Sequence, residues 1–281
     1  MSRVHLWLAI LVAMLGIGLL ASSSALAIEE TCSTLGLKNE GPEEECRFWE
    51  GKAENIESGE EGGGEESEAK STEEEALGHN PIVFVHGIFG NKKTFKTMVS
   101  WFKADGWSSN RLLNWAYDWK KSNVTIAKEV QAKVELLLKQ THAKKIDIIT
   151  HSMGALSSRY YLKNLLGGGK EEKGAVVDEW VSLGGPNHGA SIAKFCAWLW
   201  TSCAEMVPGS AFLKQLNEID ETPGTVRYGT WYSNGSIHCD FVVPSGVSLV
   251  GAAQNTEKCV THWSWHENKS IYEEVRNFVK F

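Results

Sequence analysis

The sequence predicts an α/β domain, a mostly parallel sheet covered by helices on both faces, and three observations carry that expectation. Short, largely apolar runs such as Ile82-Val83-Phe84-Val85 and Trp180-Val181-Ser182-Leu183 recur along the chain. Longer stretches with apolar residues at helical spacing separate them. The runs also lack the in–out alternation of a sheet with one wet face. Strands buried on both faces read this way, and parallel strands require long crossovers, usually helical.

The chain divides into three parts. Met1–His5 carries Arg3, Leu6–Leu20 is almost wholly apolar, and Ala25-Leu26-Ala27 offers small residues at the positions a signal peptidase reads. Residues 1–27 are therefore expected to be a secretory signal, cut after Ala27. The other reading is an uncleaved anchor, for which an apolar run of roughly 15 residues is short against the ~20 needed. Residues 28–76 are acidic. Glu29–Ala76 holds 17 acidic and 4 basic residues, whereas the chain from Leu77 on is about +5. Ser58–Glu75 has no large apolar side chain. It cannot bury enough surface to offset its ordering entropy, so a solvated, largely disordered segment is expected. A propeptide, spacer or calcium-attracting tail is the functional reading of the same stretch.

Residues 77–281 are expected to form one domain, and its elements follow in order. Ile82–Val85 is a buried strand. Phe95–Lys103 is a helix closed by Asp105-Gly106. Leu112–Ala116 is a second strand. Val124–Gln140 is a helix with Ile126, Val130, Val134, Leu137 and Leu138 on one face. Ile146–Ile149 is a strand, Ala155–Leu166 a helix and Trp180–Leu183 a strand. Val226–Tyr232 and Ser248–Gly251 are expected to be later strands, and Ile271–Val279 a closing helix. The mildly basic domain has no clustered Lys/Arg stripe, which argues against nucleic acid as a partner. No Cys-x-x-Cys or Cys/His cluster points to a metal.

The strongest chemical signal is Thr150-His151-Ser152-Met153-Gly154. A serine on a sharp turn between a buried strand and a helix is exposed at the carboxyl end of a sheet, as a nucleophile must be. The Met153 amide, at the helix start, can face a developing oxyanion. Gly154 lets helix and strand approach. Thr150 departs from the usual small residue at the first position and should crowd the turn. A second signal, His86-Gly87-Ile88-Phe89-Gly90, follows the first strand directly.

With HGIFG, AKKIDIITHSMGALSSRYYLKNL and SLGGPNHG in view, the chain from Pro81 onward resembles the small secreted bacterial triacylglycerol lipases of the α/β-hydrolase superfamily. The resemblance implies an α/β-hydrolase fold, a Ser, Asp, His triad in that order, and no cofactor. It implies that the loop after the first strand supplies the second oxyanion amide, here Ile88, with His86 shaping the loop. It points to Asp240, before Phe241-Val242-Val243-Pro244, as the acid; Asp220 reads as solvated surface. It points to His262 as the base, with His266 four residues on as the alternative. His151, His188 and His238 come too early, and His188 is expected to support the site without being a catalyst.

Six cysteines remain beyond the signal, and an even number in an exported chain reads as disulfides. Pairing by sequence neighbours gives Cys32–Cys46, Cys196–Cys203 and Cys239–Cys259. The third suits a fold in which the acid and histidine loops meet. The second requires a break in the helix near Thr201, because seven helical residues span about 10 Å.

Phe195–Thr222 is rich in apolar residues for a connection. It reads either as a small lid-like insertion over an acyl pocket or as ordinary packing over a sheet edge. Trp115, Trp119, Trp263 and Trp265 are either aromatic walls or core. The expected substrate is an acylglycerol-type or other apolar ester, with transient contact to a lipid interface, and the protein is expected to be a monomer. Another acyl transfer on the same triad (polyester hydrolase, thioesterase or acyltransferase) and a non-catalytic binding protein are the competing readings.

Overall fold

The computed structural model describes residues 79–165, 176–233 and 238–279. The signal, the acidic segment and the Cys32–Cys46 pairing lie outside the described residues.

Strand β1 (Ile82–Val85) is fully buried. Helix α1 (Lys96–Ala104) buries Met98 and Phe102, one helical turn apart, and ends before Gly106 at φ 100. Strand β2 (Leu112–Asn114) is shorter than the sequence suggests. Helix α2 (Asn123–Thr141) starts where the Ser122 hydroxyl accepts the Val124 N–H, and stops at His142 in the left-handed region. Its stripe Ile126, Val130, Val134 and Leu137 is buried, each side chain contributing roughly 1.5–3 kcal/mol. Strand β3 (Ile146–His151) leads into α3 (Gly154–Asn164), and β4 (Val177–Leu183) follows. Two short helices, α4 (Thr201–Met206) and α5 (Ala211–Asn217), precede β5 (Arg227–Tyr232). Strand β6 (Gln254–Glu257) and helix α6 (Lys269–Phe278) close the chain.

Among the described residues the six strands are all parallel, in the order β2-β1-β3-β4-β5-β6. Successive strand residues point to opposite faces, and the core divides accordingly. Val83, Val85, Ile148 and Trp180 pack with α2, α3 and α5. Ile82, Phe84, Ile149, Val181 and Trp231 pack with α1 and α6 on the other face. The chain moves outward from β1 to β2, then returns across to β3. Helix α1, after β1, packs on one face and α3, after β3, on the other, so the loops after β1 and β3 meet at a topological switch point at the carboxyl ends of the strands, where open α/β sheets bind ligands.

One expected strand is absent. Ser248–Gly251 is a loop in which the Asn255 side chain accepts the Leu249 N–H at 3.1 Å and donates to its carbonyl at 3.0 Å. A side chain thus takes the place of a neighbouring strand, and Gly251 turns the chain at φ 85. The sixth strand is Gln254–Glu257 instead, a polar edge strand. Edge strands need bury only part of their surface, so no apolar run marks it.

The insertion is partly core and partly exposed. Met206, Phe212, Leu213 and Leu216 are core. Phe195, Trp198 and Leu199 face outward, Trp198 with 79% of its surface exposed. Between them the chain leaves a 3-10 turn at Phe195, passes through extended Trp200 and restarts a helix at Thr201. That break brings the Cys196 and Cys203 Cα atoms to 5.6 Å, and the two are bonded. Cys239 and Cys259 are bonded with Cα atoms 4.8 Å apart.

Candidate active site

Ser152 follows β3 directly and takes φ 53. A non-glycine residue in the left-handed region costs about 1–3 kcal/mol and persists only where its surroundings over-determine it. Here they do. The Ser152 N–H donates to Leu183 O, and the Ala155 N–H donates back to Ser152 O. A Cβ on Gly154 would lie 2.3 Å from the Val85 carbonyl, so only glycine allows α3 to start this close to β1. The crowding expected from Thr150 does not arise. Its side chain turns to β4 and donates to Val181 O at 2.8 Å.

The Ser152 hydroxyl lies 2.9 Å from His262 Nε2. His262 begins a 3-10 turn beyond β6, and its Nδ1 donates to Asp240 Oδ2 at 2.7 Å. Asp240, fully buried beyond β5, has both oxygens occupied. Oδ1 accepts the Val242 and Val243 N–H groups at 3.0 and 2.9 Å. Oδ2 also accepts the Trp265 indole N–H at 2.9 Å. A buried carboxylate costs several kcal/mol unless paired and hydrogen-bonded, and four donors meet that need. The three side chains thus converge at the carboxyl ends of β3, β5 and β6.

The loop after β1 lies over Ser152. A Cβ on Gly87 would stand 2.6 Å from the serine Cβ and 3.1 Å from its hydroxyl oxygen, so a side chain there would crowd the hydroxyl. The Gly90 N–H closes the turn onto Gly87 O at 3.1 Å, with Phe89 at φ 60 between them. Phe89 is held against Trp119 and Trp200, at 4.6 and 6.1 Å between ring centroids. His86 is buried, stacks on Tyr117 at 3.9 Å, and donates from Nδ1 to Gly87 O at 2.9 Å. Burial lowers its pKa to about 4, so it is a neutral loop-shaping residue. Ile88 is the next residue of this turn, and Met153 is the N-cap of α3. Among the described residues, neither N–H is taken by a backbone carbonyl.

His266 is not at this junction. It is buried against Phe95 and His151, and desolvation lowers its pKa to about 4. His188 bonds Gly246 O and the Glu221 carboxylate, joining two loops. Trp265 is core and a donor to Asp240, not a wall. Trp115 is also core, whereas Trp263 is half-exposed beside His262 and Trp119 is partly buried. His151, which donates to the His262 carbonyl, is a further site neighbour that the sequence reading set aside. Its place directly before Ser152 was the available signal. Among the described residues no three His, Cys, Asp or Glu side chains are grouped as a metal site requires.

A family model described as Lipase (class 2) matches residues 79–271. Among solved structures, the chain is similar to the mature form of the Bacillus licheniformis lipase BlEst2, with a TM-score of 0.59 and 17% identity over 73% of this chain and 93% of that one. The propeptide form of the same lipase gives 0.60 and 18%, over 73% of this chain and 51% of that one. Aspergillus fumigatus lipase B gives 0.56 and 16%, over 69% and 51%. At these identities the structures carry the fold, which is α/β-hydrolase-like. The family match covers the strands and loops that bear Ser152, Asp240 and His262, and on it the chain belongs to the class 2 lipase family, a family of ester hydrolases.

Proposed function

We propose that the protein is a secreted serine hydrolase that cleaves apolar carboxylic esters through Ser152, His262 and Asp240. The observation that carries this reading is the continuous relay from Ser152 Oγ through His262 to Asp240, at 2.9 and 2.7 Å, with the serine on a strained turn. His262 Nε2 takes the hydroxyl proton as Ser152 Oγ attacks the ester carbonyl. Asp240 holds the imidazole in the tautomer that leaves Nε2 free to accept, and stabilises the imidazolium that forms. The Ile88 and Met153 amides receive the oxyanion, Met153 from the positive end of α3. His262 then gives its proton to the leaving alcohol. Water, activated by the same histidine, releases the acyl group as the acid and restores Ser152. No step calls for a cofactor.

Apolar substrate is supported by the outward-facing Phe195, Trp198 and Leu199 and by Trp263 beside His262. The same side chains suit transient contact with a lipid interface. Export is supported by the leader-like start and by two disulfides, which persist in oxidising compartments. The test is a chain-length series of p-nitrophenyl esters, with a long-chain ester run above and below its solubility limit. Activity that rises with acyl length and is abolished in Ser152→Ala is expected. Turnover of thioesters alone, or acyl transfer without hydrolysis, would replace this reading.

A further inference from the structure

The consecutive residues His151 and Ser152 hold one and the same histidine from two sides. Ser152 Oγ meets the His262 ring at Nε2, and His151 Nε2 meets the His262 backbone carbonyl at 2.8 Å. The His151 ring is buried at the end of β3, a strand paired on both sides, whereas His262 sits on a short 3-10 turn with loop on its N-terminal side. A carbonyl can only accept, so Nε2 of His151 carries the proton. We propose that His151 is a positioning residue for His262: its Nε2–H fixes the backbone of the base to the strand that bears the nucleophile. The inference rests on the reading of Ser152 and His262 as nucleophile and base.

The need for such a tether follows from the geometry. Asp240 fixes the ring at Nδ1, but a ring held only there can still swing with its backbone. The distance from Nε2 to Ser152 Oγ depends on where the His262 backbone sits. A misplacement of about 1 Å in such a constellation can cost about 10²-fold in rate. Setting that position from the residue next to Ser152 makes the nucleophile–base distance a property of one rigid strand. His151 is suited to the task because it stays neutral. Burial, with His262 and His266 nearby, pushes it well below the ordinary histidine value. Its ring lies 4.9 Å from that of His262 and 4.9 Å from that of His266. It therefore donates one hydrogen bond without placing a second positive charge beside the imidazolium that acylation creates.

Amide side chains of two lengths separate this role from simple packing. Gln places a donor near the position of a histidine Nε2; Asn places it near Nδ1, too short to reach the His262 carbonyl. The full chain carrying His151→Gln, His151→Asn or His151→Leu is assayed on a soluble short-chain p-nitrophenyl ester, with unfolding midpoints in parallel and Ser152→Ala as control. Expected are a kcat about 10–100-fold lower for Asn and Leu, KM within about twofold of the parent because ground-state binding does not use the tether, and recovery in Gln to within about threefold. If Leu does not fold, the Asn–Gln pair carries the comparison. Equal rates for Gln and Asn, whether both slow or both fast, would overturn the tether. An active Ser152→Ala would overturn the nucleophile assignment beneath it instead.

Discussion

Trp265 donates its indole N–H to Asp240 Oδ2 at 2.9 Å, the same oxygen that accepts from His262 at 2.7 Å. Asp240 is thus also held by a residue three positions along the chain from His262. Trp265→Phe keeps the ring packing and removes the donor. It should lower stability by about 1–2 kcal/mol, since a bond to a charged acceptor is lost in the interior. It should also lower kcat/KM by roughly tenfold through a looser carboxylate. Denaturant midpoints and steady-state rates check both. Unchanged values would show that the remaining three donors suffice.

His262→Ala should reduce ester hydrolysis by about four orders of magnitude, because the members of such a unit fail together. His266→Ala should cost about 1–3 kcal/mol of stability, since the ring is buried against Phe95 and His151. Its activity should stay within about tenfold of the parent. Rates measured on both variants decide between them, and a reversed ranking would move the base by one turn.

Most of the candidate site was legible in the sequence because its signals are local. A strand, a tight turn and a helix around Ser152 need only about ten residues of context, and apolar β3 announces itself. Strand β6 was missed because a polar edge strand carries no apolar signal, while the buried Leu249 imitates one. The hydrogen bonds of Trp265, read as a wall or core, and of His151, read as too early in the chain, were not recognised for a different reason. Their partners, Asp240 and the His262 carbonyl, lie 25 and 111 positions away. A hydrogen bond to a distant backbone leaves no pattern in composition or period.

The Cys239–Cys259 bridge ties the loop of Asp240 to the loop leading to His262, across 20 positions. By the loop-entropy account it contributes roughly 3 kcal/mol. Cys239→Ser/Cys259→Ser should lose activity at temperatures where far-UV circular dichroism is still native, because Asp240 and His262 drift apart before the sheet unfolds. Cys196→Ser/Cys203→Ser is the comparison and should show the smaller gap. Coincident loss of activity and structure in the first variant would rule out a specific role for the bridge.

Stability should fall on mild acidification. His86 and His266 have their pKa lowered from 6.5 to about 4, and His151 lies well below 6.5, each chiefly by desolvation. Between those values the unfolded chain binds protons that the folded one does not, so stability rises with pH there. The contribution is full above pH 6.5 and is lost as pH falls towards 4. Each histidine adds a slope of up to about 1.4 kcal/mol per pH unit. Urea unfolding at pH 7, 6 and 5 should show the decline, and His266→Phe should make it shallower by one histidine's share. A flat profile over that range would contradict the burial of neutral imidazoles.

If Ser152 is the nucleophile, a covalent label directed at activated serines should find it. A fluorophosphonate probe reacts with a serine hydroxyl that a neighbouring base activates and leaves a stable phosphonyl ester on it. Peptide mapping after labelling should find one modified serine, Ser152, with hydrolysis lost in proportion to label. Ser152→Ala should take up none while keeping its fold. A label on any other serine, or full labelling of Ser152→Ala, would place the nucleophile elsewhere.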